Sequence, residues 1–113
     1  MHELAITQSM FDLVMEQARK AGAKRVGKVN LVIGEMTGVV GDCVQFYFNF
    51  ISRGTLAEGA TLSFMMVPPK AQCQRCDKLF ELKEFDWACP FCGSNSLQIV
   101  AGKELFVDSI EVE

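Results

Sequence analysis

Two Cys-x-x-Cys pairs, Cys73 with Cys76 and Cys89 with Cys92, stand either side of a twelve-residue segment. They constrain this chain more than any other feature. A Cys-x-x-Cys turn presents two sulfurs on one side of a tight knuckle, and the intervening segment is long enough to run out and back as a short hairpin. Four thiolates can therefore converge on one tetrahedral metal ion. Pro90 fixes φ inside the second knuckle, and Gly93 just after it admits a positive φ where backbone N–H groups turn toward sulfur. The spacing favours zinc. Iron also accepts four thiolates, and two redox dithiols would use the same residues, although nothing nearby reads as the βαβ setting of a thioredoxin-like site.

A length of 113 residues fits one domain, or one small domain plus a metal-held module, and half of the residues are hydrophobic, enough for a core. The net charge of −3 argues against a general nucleic-acid binder. Around the cysteines, Lys70, Arg75, Lys78 and Lys83 are balanced by Asp77, Glu81, Glu84 and Asp86, so no basic face emerges. No apolar run approaches the length of a membrane span, and the start, MHELAITQSM, lacks the charged and apolar regions of a signal peptide. The expectation is a cytoplasmic protein whose reduced thiols are free to hold metal.

The periodicity outlines an α+β domain. Residues 3–21 form an amphipathic helix with Leu4, Phe11, Val14, Met15 and Ala18 on one face and Gly22 as its stop. Residues 26–33 alternate as a strand, with Val29, Leu31 and Ile33 together, before a glycine-containing loop over 34–41. Residues 42–53 satisfy both periods. Val44, Phe46, Phe48 and Phe50 alternate as a strand would, yet Asp42 as N-cap and Gly54 as stop favour a helix. Residues 60–67 are a strand ended by Pro68-Pro69, and 103–112 are another, with Leu105 and Val107 on one face and Phe106, Ile110 and Val112 on the other. The last strand belongs with the earlier ones. The expected fold is two helices on a small three-stranded sheet, with residues 69–100 as an inserted zinc-ribbon module and residues 1–68 plus 101–113 as the discontinuous main domain.

The chain's single histidine is His2. A free α-amine at Met1, the His2 backbone nitrogen and its imidazole lie consecutively and can chelate one ion. Such nitrogen sets suit Ni(II) or Cu(II), and the Glu3 amide or carboxylate offers a fourth donor. The plainer view is a disordered terminal residue. At this point a resemblance bears on the choice. MHELAITQSM, VNLVIGEMTGV, the cysteine module with CPFCGS, and ELFVDSIEVE together resemble the HypA/HybF family of nickel metallochaperones, across nearly the whole chain. The resemblance implies Ni(II) at Met1, His2 and Glu3, and structural zinc at Cys73, Cys76, Cys89 and Cys92. It further implies work with a HypB-type GTPase, delivery to the [NiFe]-hydrogenase large-subunit precursor and, for some members, service to urease maturation proteins. Some members add a histidine from the zinc module to the nickel site; this chain has none there.

The remaining candidates carry ordinary expectations. Cys43 should be a small buried hydrophobe, the Phe46–Phe50 cluster core, Glu35 a solvated loop carboxylate, and Met10, Met15, Met36, Met65 and Met66 fillers of core gaps. Trp87 should pack over the metal knuckles. No phosphate-binding loop and no nucleophile–base pair is present, so the expectation is a carrier and not an enzyme. The rival from these residues is a zinc-ribbon adaptor or nucleic-acid-binding module. No nucleic-acid or membrane partner is expected. A homodimer stays open, because the long insertion before the last strand would permit a domain swap.

Overall fold

The computed structural model describes residues 2–83 and 87–113. Helix α1 spans Glu3–Lys20. Its charges follow the helix dipole, with Glu3 in the first turn and Arg19 and Lys20 in the last. It ends in a Schellman motif: the Ala23 amide donates to the Ala18 carbonyl, the Gly22 amide to that of Arg19, and Gly22 has φ 64°. Thr7, Met10, Val14 and Ala18 line its buried face. Leu4, expected on that face, is exposed instead.

Strand β1 covers Val26–Gly34, and a short 3-10 turn follows over Glu35–Thr37. Helix α2 covers Gly41–Ile51. It is capped at Val40 and not at Asp42, which sits in its first turn. Strands β2 (Thr61–Val67) and β6 (Leu105–Val112) flank β1, parallel and antiparallel respectively. The expected two helices and three-stranded sheet are thus present. Between β2 and β6 in the chain, strands β3 (Lys70–Cys73), β4 (Leu79–Glu81) and β5 (Leu97–Ala101) form a separate antiparallel sheet in the order β4-β3-β5.

The helix-facing rows of the first sheet are Val29 with Leu62 and Ile110, and Leu31 with Phe64 and Val107. Val107 and Ile110 have opposite parity, yet both pack on the core. The register explains this: Asn30 pairs with Ser109 and Leu31 with Val107, leaving Asp108 as a bulge that resets the alternation. Gly27 is bypassed in the same way, which lets Val26 and Val29 both be fully buried. The expected split of β6 into two faces fails for this reason.

Against the core, Phe48 is fully buried and meets the Phe11 ring edge-on with 6.1 Å between centroids. The rest of the aromatic cluster contradicts its assignment to the core: Phe46 is 69% exposed and Phe50 63%. Cys43 is also exposed. Of the methionines, Met10 and Met15 contact the core, whereas Met36, Met65 and Met66 are open to solvent. The physical reason is one-sided packing. Helix α2 buries Val44 and Phe48, while Phe46, Asn49 and Phe50 on its other side are exposed.

Two details shape the edges and ends. The Leu62 amide on the outer strand β2 donates to Gln45 Oε1 at 3.1 Å, so a helix side chain occupies that edge. Ser52, the C-cap of α2, is fully buried, and its Oγ is, among the described residues, the buried side-chain oxygen without a hydrogen-bond partner. Ser52→Ala is expected to keep or raise stability, by up to about 1 kcal/mol, because it removes an unpaired polar atom. Urea unfolding of both proteins checks this; a clear loss of stability would mean that the hydroxyl is bonded.

Where the two sheets meet, the Gly34 amide donates to the Glu104 carbonyl at 2.7 Å and the Met36 amide to the Gly102 carbonyl at 2.8 Å. Glu104 Oε1 in turn accepts from the Gly102 amide at 2.7 Å. Gly102 has φ 112° and lies against Pro69. No helix among the described residues is long and apolar enough to cross a membrane.

Candidate metal centre

Cys73 ends β3, and Cys76 closes the turn after it. Cys89 and Cys92 form the matching turn before β5. The four sulfurs lie within 4.8 Å of one another, with Cys73 and Cys92 at 3.5 Å and Cys76 and Cys89 at 3.6 Å. A tetrahedral ion with bonds of ~2.3 Å requires sulfur separations of roughly 3.8 Å. The sulfurs therefore fit one thiolate-bound ion after shifts of about 1 Å or less. Among the described residues this is the one such cluster, and Cys43 takes no part in it.

The two knuckles are built alike. In each, the residue four positions after the first cysteine turns back: the Asp77 amide donates to the Cys73 carbonyl at 2.8 Å and the Gly93 amide to the Cys89 carbonyl at 2.9 Å. Both residues have positive φ, 64° for Asp77 and 77° for Gly93. The sequence points to the glycine but not to Asp77, whose short side chain tolerates this region better than most. Backbone amides aim at the first sulfur of each pair, Arg75 and Cys76 at Cys73, and Phe91 at Cys89. The Gln74 amide donates to the Ser96 carbonyl at 2.9 Å, and the Ser96 hydroxyl to Gln74 Oε1 at 2.8 Å, tying the first knuckle to the strand that follows the second.

These amides polarise the thiols unequally. The Cys76 amide above all, with that of Arg75, lowers Cys73 from 9.0 to about 6 against the opposing effect of burial. At Cys89 burial raises the pKa, but the Phe91 and Cys92 amides and the Cys76 thiol outweigh it, for a net lowering. Cys76 is raised to about 11: the Lys78 amide lowers it, but burial and the Cys89, Cys73 and Cys92 thiols prevail. Cys92 is raised too, its Ser94 amide being outweighed by burial and the Cys73 and Cys89 thiols. Each knuckle thus contributes one buried sulfur that readily ionises and one more accessible sulfur that holds its proton until a cation takes its place.

Trp87, expected over the knuckles, is 51% exposed. Over residues 70–83 and 87–101 the buried residues are Ala71, Cys73 and Cys89. Among the described residues, the small sheet has almost no apolar core apart from the ligands themselves.

At the other end of the sequence, His2 is the exposed N-cap of α1, its carbonyl accepting from the Ile6 amide at 3.1 Å and its imidazole making no capping hydrogen bond. Glu3 is half-buried and its Oε2 accepts from the Val40 amide at 3.4 Å, ahead of α2. Met1, the third residue of the expected nickel set, lies outside the described residues. Glu35 is exposed, as expected of a solvated carboxylate.

Residues 1–112 match the family model described as hydrogenase/urease nickel incorporation, metallochaperone, hypA. The chain is similar to hydrogenase maturation factor HypA of Caldanaerobacter subterraneus subsp. tengcongensis, 44% identical with both chains covered completely. It is similar also to that of Geobacter metallireducens, 41% identical with both chains fully covered. The fold matches the solution structure of a HypA protein with a TM-score of 0.77 at 24% identity, covering 100% of this chain and 97% of the other. It also matches that of the Ni metallochaperone HypA from Helicobacter pylori, with a TM-score of 0.69 at 24% identity over 99% of this chain and 97% of that one. With a whole-length family match joined to a four-cysteine metal cluster on the same fold, the chain belongs to the HypA family of hydrogenase/urease nickel-incorporation metallochaperones.

Proposed function

We propose that this chain holds a structural zinc ion between Cys73, Cys76, Cys89 and Cys92 and carries Ni(II), as cargo, at Met1, His2 and Glu3 for the maturation of [NiFe]-hydrogenase. Four thiolates leave zinc no open position, so the cysteine site organises the chain and performs no chemistry on a substrate. The observation that carries the nickel assignment is His2: the chain's single imidazole is solvent-exposed at the start of α1 and unused by any cap. The α-amine, the His2 backbone nitrogen and the imidazole provide three consecutive nitrogens. The Glu3 carboxylate is turned toward the Val40 amide. In a planar set that suits Ni(II), the fourth position lies opposite the His2 backbone nitrogen, beyond the reach of the adjacent Glu3 backbone nitrogen, so the Glu3 carboxylate, released from that contact, or a water fills it. A site made from the end of the chain exchanges its ion easily, which is what a carrier needs.

We read residues 1–68 with 101–113 as the nickel-carrying part and 69–100 as the zinc ribbon. The chain lacks a phosphate-binding loop, so a HypB-type GTPase would provide nucleotide hydrolysis, and the hydrogenase large-subunit precursor would receive the metal in the cytoplasm. A urease destination uses the same donors and differs only in the acceptor.

The test is Ni(II) titration of the untagged protein beside His2→Ala, with metal analysis before and after. The wild type is expected to take up close to one equivalent and the variant none, while zinc content and far-UV dichroism stay the same, since His2 is exposed. Equal uptake by the two proteins would reject the terminal site and move attention to the cysteines.

A further inference from the structure

Two opposite edges of the sulfur cluster join one knuckle to the other, Cys73–Cys92 at 3.5 Å and Cys76–Cys89 at 3.6 Å. They are covered differently. Cys92 is exposed, whereas Cys76 is half-buried and Cys89 buried. The Cys73–Cys92 edge is tied from the side, through the bonds between Gln74 and Ser96. At the other edge two side chains meet. Lys78 follows the first knuckle and Phe91 sits inside the second. The Lys78 ammonium stands 4.5 Å from the centre of the Phe91 ring. Neither residue belongs to the main core, and Phe91 is 58% exposed. Packing therefore does not explain an aromatic ring at this position.

Backbone bonds place the contact at that edge. The Phe91 amide donates to Cys89 Sγ at 3.4 Å. The Lys78 amide opposes the rise in the Cys76 pKa, as a donor to that sulfur does. The Lys78 carbonyl accepts from the Cys73 amide at 3.0 Å, which fixes it at the base of the first knuckle. Each backbone is thus held at one sulfur of the edge, and the two side chains touch across it. We propose that Lys78 and Phe91 form a clasp across the Cys76–Cys89 edge that holds the knuckles together and slows release of zinc, so that the ion leaves by the Cys73–Cys92 edge. The inference rests on the zinc site proposed above.

A zinc ion held by four thiolates has no free position, so a competing ligand enters only as one thiolate lets go. Cys92, exposed and outside the clasp, lets go first. Opening the opposite edge requires the ammonium to leave the ring. A cation–π contact at an exposed site, lost on the way to release, changes the rate by about two- to fivefold. Removing the ring has the larger effect, because it deletes the contact and also bares the edge to the competitor. Lys78 and Phe91 are positioning residues here and bind no metal themselves.

The test is zinc transfer from the full-length, zinc-loaded protein to an excess of the chromogenic chelator pyridylazoresorcinol, with zinc content measured beforehand. Lys78→Met should release zinc about two- to fivefold faster and Phe91→Leu about tenfold faster, whereas Lys78→Arg, which keeps a cation on the ring, should stay near the wild type. The double variant Lys78→Met with Phe91→Leu should match Phe91→Leu alone, since either change already removes the contact. Far-UV dichroism should not change, because both side chains are exposed. Alkylation with iodoacetamide reads the order of opening: of the four ligands, Cys92 should react first in the wild type, and in Phe91→Leu Cys76 should react nearly as fast. Wild-type release rates in fully zinc-loaded single variants would overturn the clasp and leave the zinc site standing. So would a double variant whose acceleration is the product of the single ones, or a wild type in which Cys76 reacts ahead of Cys92. A wild type that takes up no zinc would overturn the site and the clasp together.

Discussion

Removing the metal, by chelation or by Cys73→Ser, is expected to unfold residues 70–101 while the helices and the first sheet persist. The reason is the division of buried surface. The main core, from Met10 to Leu62 with Phe48 at its centre, draws on α1, β1, α2 and β2 and includes no residue of the small sheet. The small sheet instead buries Ala71, Cys73 and Cys89, and two of these are ligands. Structural zinc sites of four thiolates contribute about 10–16 kcal/mol to folding in small modules, far above what a short three-stranded sheet of this kind gains otherwise. Hydrogen exchange with and without chelator is the measurement. Amides such as Cys73, Gln74 and Cys89, now bonded within the knuckles, should lose protection, and amides of β1 should keep theirs. Equal loss in both regions would show one cooperative unit. Acid acts in the same direction, because protons compete with the cation for sulfur. Cys76 and Cys92, whose pKa values are raised, bind protons across the neutral range and lose them only to metal. Metal affinity is thus expected to rise as pH rises, and acidification should release the ion before it unfolds the helical core.

Gly34→Ala is expected to be the most damaging single methyl addition in the chain. A Cβ at this position would stand 2.1 Å from the Gly102 carbonyl oxygen and 2.5 Å from the Lys103 nitrogen. Both are backbone atoms, held by the amides of Gly34 and Met36, so no side chain can swing aside. Relief requires the end of β1 to part from the segment entering β6, breaking the bonds to Glu104 and Gly102 together. Loss of two buried backbone hydrogen bonds plus the strain suggests a destabilisation of at least about 4 kcal/mol. Thermal unfolding of the metal-loaded variant should show this as a large fall in Tm, or as insoluble protein. Gly38→Ala serves as the control: its φ of 72° carries some strain, but nothing lies within 4 Å of the added carbon. Similar behaviour of the two variants would locate the effect in backbone freedom and not in the close approach.

How legible each part was in the sequence depends on which force positions it. The cysteine cluster was fully legible, because covalent ligand geometry leaves a four-thiolate spacing few alternatives. Helix α1 was nearly so, with its acidic start, basic end and Gly22, and the one misplaced residue, Leu4, lies in the first turn. Helix α2 was recognised by its ends and not by its period, since Phe46, Phe48 and Phe50 alternate as in a strand. Which of the three was buried depends on the side that meets the sheet, and a periodic pattern with aromatics on both sides does not carry that information. Parity in β6 was hidden by the bulge at Asp108, a feature of pairing between strands far apart in sequence. The bond from Gln45 to the edge of β2 likewise depends on a contact between segments apart in sequence.

The edges of the first sheet set a limit on how this chain can aggregate. Gln45 fills a backbone donor on the β2 side, and the bulge with its acidic Asp108 bends the outer strand on the other. Both devices deny an incoming strand a straight ladder. Sheet growth from one molecule to the next, which would run without end, is hindered at both margins of this sheet. What remains exposed is apolar side chains, such as Phe46 and Phe50 on α2 and Met65 and Phe106 on the strands. Side-chain contacts of that kind come apart on dilution, unlike the fibrous deposits that an unguarded three-stranded sheet would seed.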